Sequence, residues 1–275
     1  MSFITEIFSY PFAVRAVVAG LLISLCAALL GVNLVLRRFS MLGDGLSHVS
    51  FGSAAVALAV GVAPLKISIP VVIIAAFFLL RLNGKMRGDA ATAIVSSSAL
   101  AVGIVVATLT TGMNTDISNY MFGSILALSK GDVYISVIVA VTVLLCYIIF
   151  YQKIFTVSFD DGFAYATGVK VGFYNSLTAI LTAVVVVIGM RIMGALLISS
   201  IITFPALSSM RICKRYKSVV ICSAFVSVVT FIVGIILSFL YDVPTGAGIV
   251  LINLAVFLIF SFVGKISTKL PFQKH

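Results

Sequence analysis

The chain has 275 residues, 62% of them hydrophobic and only 9% charged, with 18 Lys and Arg against eight Asp and Glu. Water-soluble domains carry roughly 25% charged residues, so the composition excludes a soluble enzyme or a soluble binding domain. The net charge of +10 does not point to a nucleic-acid partner, because the basic residues sit in short segments between apolar runs, the pattern by which membrane proteins fix their orientation.

Apolar runs long enough to cross a bilayer, about 17–25 residues, follow one another along the whole chain. They fall near 12–36, 45–63, 67–82, 90–111, 132–151, 172–190, 194–210, 217–240 and 246–264. The stretch Ile117–Leu128 is too short to span and reads as a re-entrant helix. The expected fold is therefore an all-α polytopic membrane protein with about nine spans and one short re-entrant helix. Residues 1–275 form a single transmembrane domain surrounded by lipid. The first span, preceded by Glu6 and carrying Arg15, reads as an uncleaved helix. Placing the Arg37–Arg38 segment in the cytoplasm puts 14 of the 18 basic residues on that side, and only Arg15, Lys66, Lys130 and Arg191 fall elsewhere. The expected topology has its N-terminus outside and its C-terminus in the cytoplasm. Cys26, Cys146, Cys213 and Cys222 lack C-x-x-C spacing and read as buried thiols.

The second run opens with Met41-Leu-Gly-Asp-Gly-Leu-Ser-His48. Asp44 and His48, four residues apart, share one helix face and can share one ligand. A carboxylate in hydrocarbon costs roughly 2.5–3.5 kcal/mol on insertion scales, so such a residue seeks a cavity or a partner. Two readings stay open on the residues alone. In one, the pair handles a metal ion or a proton; in the other, Asp44 caps a helix above an ordinary packed histidine. As ligands the pair suits Zn²⁺ or Mn²⁺, and two ligands per chain suit an ion that must leave again. A two-fold dimer would bring four together.

Gly43, Gly45 and Gly52 flank the pair and allow the helix to unwind or to approach a neighbour. Pro205 interrupts hydrogen bonding in the seventh run, where Ser199, Ser200 and Thr203 can satisfy freed carbonyls. Both are read as pathway features, with close helix packing as the alternative. Asp89 reads as a helix N-cap, and Asp116, Asp132 and Asp242 as residues of solvated outer loops. The long basic-side loop at about 158–169, Ser158-Phe-Asp-Asp-Gly-Phe-Ala-Tyr-Ala-Thr-Gly168, should form a short amphipathic helix lying against a soluble partner. No G-x-x-x-x-G-K-[ST] loop, H-E-x-x-H motif or Ser–His–Asp set is present, so the chain is expected to be neither an ATPase nor another enzyme.

These stretches together resemble the bacterial ATP-binding-cassette permeases for zinc, manganese and iron. The matching segments are Met41–Ser50, Tyr120–Leu126, Phe159–Gly168, Gly194–Ala206 and Pro244–Gly248, in the order found in that family. The resemblance implies a homodimeric or pseudo-dimeric pore in the plasma membrane. It also implies a cytoplasmic ATPase subunit and an extracellular metal-binding lipoprotein that delivers the cargo. No permanently bound cofactor is implied, only the transported metal. By the resemblance Asp44 and His48 contact the metal. Phe159, Asp160, Asp161, Phe163, Ala164 and Gly168 then belong to the helix that couples to the ATPase. Where manganese-type members carry Pro-Gly after the Asp/His turn, this chain has Phe51-Gly-Ser-Ala, and its Phe122-Gly-Ser-Ile resembles the zinc branch. Zinc is the favoured cargo and manganese the next. The competing reading is a secondary or proton-coupled cation carrier with no ATPase.

Overall fold

A computed structural model describes residues 11–82, 88–110, 121, 123, 130–241 and 243–269, and those residues are helical apart from short turns. In chain order the helices are α1 (Pro11–Leu36), α2 (Leu42–Ala59), α3 (Pro64–Leu82), α4 (Gly88–Leu109), α5 (Lys130–Phe159), α6 (Asp161–Ala166), α7 (Val171–Met193), α8 (Ala195–Ile212), α9 (Tyr216–Tyr241) and α10 (Thr245–Lys269). Eight of them are long and apolar enough to cross a membrane. The ninth long helix, α2, is not among those eight. Its 18 residues include Asp44, His48, three serines and three glycines. The expected re-entrant segment Ile117–Leu128 lies outside the described residues except for Met121 and Gly123.

The most polar helix is also one of the most enclosed. α2 packs against α3, α4, α7 and α8, and most of its residues are buried. Protein thus covers most of α2, while Asp44 and His48 stay partly exposed. α1 and α7 share this interior. α3, α4, α5 and α10 are mostly exposed in their spanning windows. Their outward residues are large and apolar, among them Ile148 and Ile149 on α5 and Leu258 and Phe262 on α10. That is a lipid-facing surface.

Several helix boundaries differ from those the hydropathy suggests. α5 continues to Phe159 instead of stopping near residue 151, carrying Gln152 and Lys153 on exposed positions as a helix that extends beyond the apolar run. α8 runs unbroken from Ala195 to Ile212 through Pro205. The hydroxyls of Ser199 and Thr203 donate to the carbonyls of Ala195 and Ser199, at 3.1 and 3.0 Å, one turn back along the same helix. The interruption lies one step earlier, at Gly194, where φ 87 and ψ 159 join α7 to α8 with no further loop residue. Only glycine adopts that conformation readily.

Close backbone approach sets the core. A Cβ on Gly31 of α1 would lie 1.9 Å from the Ile202 carbonyl oxygen of α8, and one on Gly52 of α2 would lie 2.5 Å from the Ala99 carbonyl oxygen of α4. Between apolar helices in lipid, van der Waals contact of this kind is the main cohesive force. Gly31→Val should therefore separate α1 from α8 and cost roughly 1–3 kcal/mol, read as a lowered melting temperature of the detergent-purified protein. An unchanged melting temperature would mean that the contact contributes nothing.

Candidate functional site

α2 begins at an N-cap, Met41, that makes no side-chain capping bond, and Asp44 lies in the first turn. Asp44 therefore does not cap the helix. Its charge is favoured there by the positive end of the α2 dipole. Gly31 and Gly43 both meet Ile202 of α8, so the α1–α2 turn folds back and α2 starts inside the bundle. His48 is one turn further in.

The two side chains converge. His48 Nε2 lies 3.7 Å from Asp44 Oδ2, with His48 21% and Asp44 44% exposed. That separation is too long for a hydrogen bond. It is close to the spacing of about 3.4 Å between neighbouring tetrahedral ligands, each about 2.1 Å from one zinc ion. The other ring nitrogen, Nδ1, is buried and has no hydrogen-bond partner, unlike that of a satisfied core histidine. Both residues open into a pocket of about 140 Å³, also lined by Phe51, Leu100, Met121, Ala195, Leu196 and Ser199. The space is large enough for a hydrated ion. Among the described residues no group of three or more His, Cys, Asp or Glu converges.

Of the flanking positions, Gly43 faces the Ile202 side chain, Gly45 faces Thr92, and Gly52 faces the α4 backbone, while α2 passes through all three without interruption. Here they serve close approach. Ser199, on α8 above Pro205, reaches the pocket wall, a lining role that its position in an apolar run does not reveal.

At the basic end of the bundle, α6 is a six-residue helix built from its own sequence. Asp160 caps it, its Oδ1 accepting the N–H groups of Gly162 and Phe163 at 2.8 and 3.0 Å. Gly168, at φ +77, closes it: Gly168 N–H donates to the Tyr165 carbonyl and Val169 N–H to that of Ala164, the paired bonds of a left-handed C-terminal cap. Ala164 is buried with Val157 and Val169. Phe159, Phe163 and Tyr165 are 77%, 61% and 81% exposed, three aromatic rings presented outward on a rigid turn.

A clamp holds this helix to the bundle. Arg37, just past α1, donates to Asp161 Oδ2 at 3.1 Å, to Asn175 Oδ1 of α7, and stacks over Phe39 at 5.5 Å. Burial pulls the Arg37 guanidinium below its ordinary pKa, and the charge and hydrogen bond of Asp161 pull it back up. Beside it, buried Asn33 of α1 takes bonds from Tyr216 OH at 2.7 Å and Ser158 Oγ at 3.2 Å, and gives one to Tyr147 OH at 3.3 Å. Asn33 therefore pins α1, the end of α5 and the start of α9 together. Neither Asn33 nor Asn175 stands out in the sequence, although a lone amide near the end of a 26-residue apolar helix is the available signal. At the other end, Asp132 is buried and pairs with Arg191 at 3.1 Å and so does not lie in a solvated loop. Asp116 and Asp242 lie outside the described residues, as does the side chain of Asp89.

Eight helices long and apolar enough to cross a membrane, packed with one polar helix between them, define a multi-pass membrane protein. Residues 9–264 match the model of the ABC 3 transport family, and the chain belongs to that family. It is 29% identical to the manganese import system permease protein ScaB of Streptococcus gordonii, over 95% of this chain and 94% of that one. It is also 29% identical to the high-affinity zinc uptake system membrane protein ZnuB of Haemophilus influenzae, over 90% and 95% of the two chains. Its fold superposes on PsaBC from Streptococcus pneumoniae, solved in complex with Fab, with a TM-score of 0.87, 28% identity and 98% coverage of both chains.

Arg37→Ala should loosen α6 without unfolding the bundle. The lost charge-assisted bonds are worth about 1 kcal/mol once discounted for the exposure of Asp161. Amide exchange at Gly168 and Val169 should then speed up by roughly fivefold, with the α7 interior unaffected. Unchanged exchange there would show that α6 stands without the clamp.

Proposed function

We propose that this chain is the permease subunit of an ATP-binding-cassette importer that carries a divalent transition-metal ion into the bacterial cytoplasm. The observation that carries this reading is the Asp44–His48 pair, spaced at 3.7 Å beside a pocket inside the bundle and aimed at no protein partner through Nδ1. Two copies of the chain, related by a two-fold axis beside α2, would bring two carboxylates and two imidazoles to one passage. The set would hold the ion briefly and then release it. Membership of the ABC 3 transport family and the names of the Streptococcus and Haemophilus relatives support the same class of cargo.

The drive comes from outside the chain. α6, with Phe159, Asp160, Asp161, Phe163, Ala164 and Gly168, is proposed as the element that docks a cytoplasmic ATPase subunit. This orients the N-terminus outward and the C-terminus inward, with an extracellular metal-binding lipoprotein feeding the opposite face. Such a machine alternates between two states driven by the partner. A secondary carrier would have no use for exposed Phe159 at the end of α5 and exposed Phe163 and Tyr165 on a short clamped helix, and that favours the importer. Zinc is the preferred cargo, on the Phe122-Gly-Ser-Ile segment together with an imidazole ligand; manganese is the second choice.

Asp44→Ala and His48→Ala should each reduce uptake of radiolabelled zinc or manganese to background while the permease still copurifies with its ATPase. Uptake at the normal rate in the double variant would remove these residues from the pathway. Phe163→Ala should leave the pocket intact yet lower transport per ATP hydrolysed, measured in proteoliposomes; a ratio equal to that of the unmodified complex would take α6 out of the coupling role.

A further inference from the structure

The turn between α1 and α2 carries a feature that neither packing nor topology accounts for. α1 ends in a left-handed C-terminal cap: Arg38 N–H donates to the Val35 carbonyl at 3.1 Å and Phe39 N–H to that of Leu34 at 2.8 Å. The residue at the left-handed position is Arg38, with φ 61, and it is the only non-glycine at positive φ among the described residues. Helices that end this way place glycine there, because a Cβ is strained in that conformation. Gly168 occupies the equivalent position after α6.

The charge of Arg38 is also unused. Its neighbour Arg37 is partly buried and engaged with Asp161 and Asn175. Asp160 spends its carboxylate on the N-terminus of α6. The Arg38 residue is exposed, and its guanidinium makes no ion pair or hydrogen bond among the described residues. It lines an open groove of about 420 Å³ whose opposite wall is Phe159, Asp160 and Asp161. The rule that collects Lys and Arg on one side of a membrane counts charges in a loop and is indifferent to their backbone conformation. It explains a basic residue in this turn but not one at the single position where glycine is preferred. A strained residue at an exposed groove is where function is to be looked for.

We infer that Arg38 and Phe159 form a second docking contact for the ATPase subunit, beside α6, in which Arg38 receives a carboxylate side chain of that subunit and Phe159 an apolar one. The inference rests on the reading of α6 as the ATPase-docking helix and names a further part of the same interface. The left-handed cap leaves Arg38 exposed at the groove, where the partner would meet it. The turn it lies on leads in three residues to α2, so a load at Arg38 reaches the helix that carries Asp44 and His48.

The test measures ATPase-subunit affinity for the permease in nanodiscs of phosphatidylcholine alone, which offers Arg38 no anionic lipid, over a range of salt. Arg38→Gly removes the charge and relieves the backbone, so its melting temperature should not fall. It should bind the ATPase roughly tenfold more weakly at low salt, with a flatter salt dependence, whereas Arg38→Lys should keep most of the affinity. Wild-type affinity and salt dependence in Arg38→Gly, with Phe163→Ala still impaired, would overturn the inference and leave α6 docking in place. An Arg38 effect that appears only after phosphatidylglycerol is added would assign the residue to the membrane and overturn it as well. Failure of the unmodified permease to bind the ATPase at any salt would remove the docking reading itself.

Discussion

A carboxylate inside a bilayer is tolerated only where protein or water surrounds it, and the arrangement of this bundle follows from that constraint. Asp44 cannot face lipid, so the helix bearing it is enclosed by α3, α4, α7 and α8. Enclosure on that many sides requires small residues on several faces of α2, and these are supplied by its glycines and serines. The same small residues lower its hydropathy below that of its eight neighbours. A helix too polar to enter lipid alone is thus inserted as the interior of a bundle whose outer members are apolar enough to carry it.

The geometry also gives the pocket a mechanical connection. α1 touches α8 through Gly31 at Ile202, and α2 touches the same Ile202 through Gly43. Within two turns of Gly31, at the same end of the helix, α1 is bonded through Asn33 to α5 and α9 and through Arg37, one residue past its end, to α6 and α7. Displacing α6 therefore loads α1 directly, and α1 bears on a residue two or three positions from the wall of the Asp44–His48 pocket. Packed contacts of this density shift between discrete arrangements and do not deform smoothly, which suits alternation between two states.

The membrane-spanning architecture was legible in the sequence because hydropathy reports directly on contact with lipid, and eight apolar helices stand where the apolar runs fall. The pairing of Asp44 with His48 was legible because it is local: four residues on a helix determine that two side chains meet. The Asp160 and Gly168 caps of α6 were legible for the same reason. Partners separated along the chain were not. Asp132 finds Arg191, and Arg37 finds Asp161 and Asn175, only once the bundle is assembled. The true end of α5 was hidden because Gln152 and Lys153 end the apolar run, although a helix can leave the membrane without ending. Pro205 was read as a break because the sequence does not show how completely neighbouring helices support the one that contains it.

The placement of polar groups separates two tasks along the bundle axis. Near the basic end, the buried amide of Asn33 has both its nitrogen and its oxygen partnered, and a fully satisfied network is rigid. At the pocket, His48 Nδ1 is buried without a partner. A buried polar group without a hydrogen bond carries a desolvation cost, so this site is stabilised by whatever brings water or an ion to it. The bonded amide is held in one arrangement, whereas the imidazole keeps hydrogen-bonding capacity open to a guest.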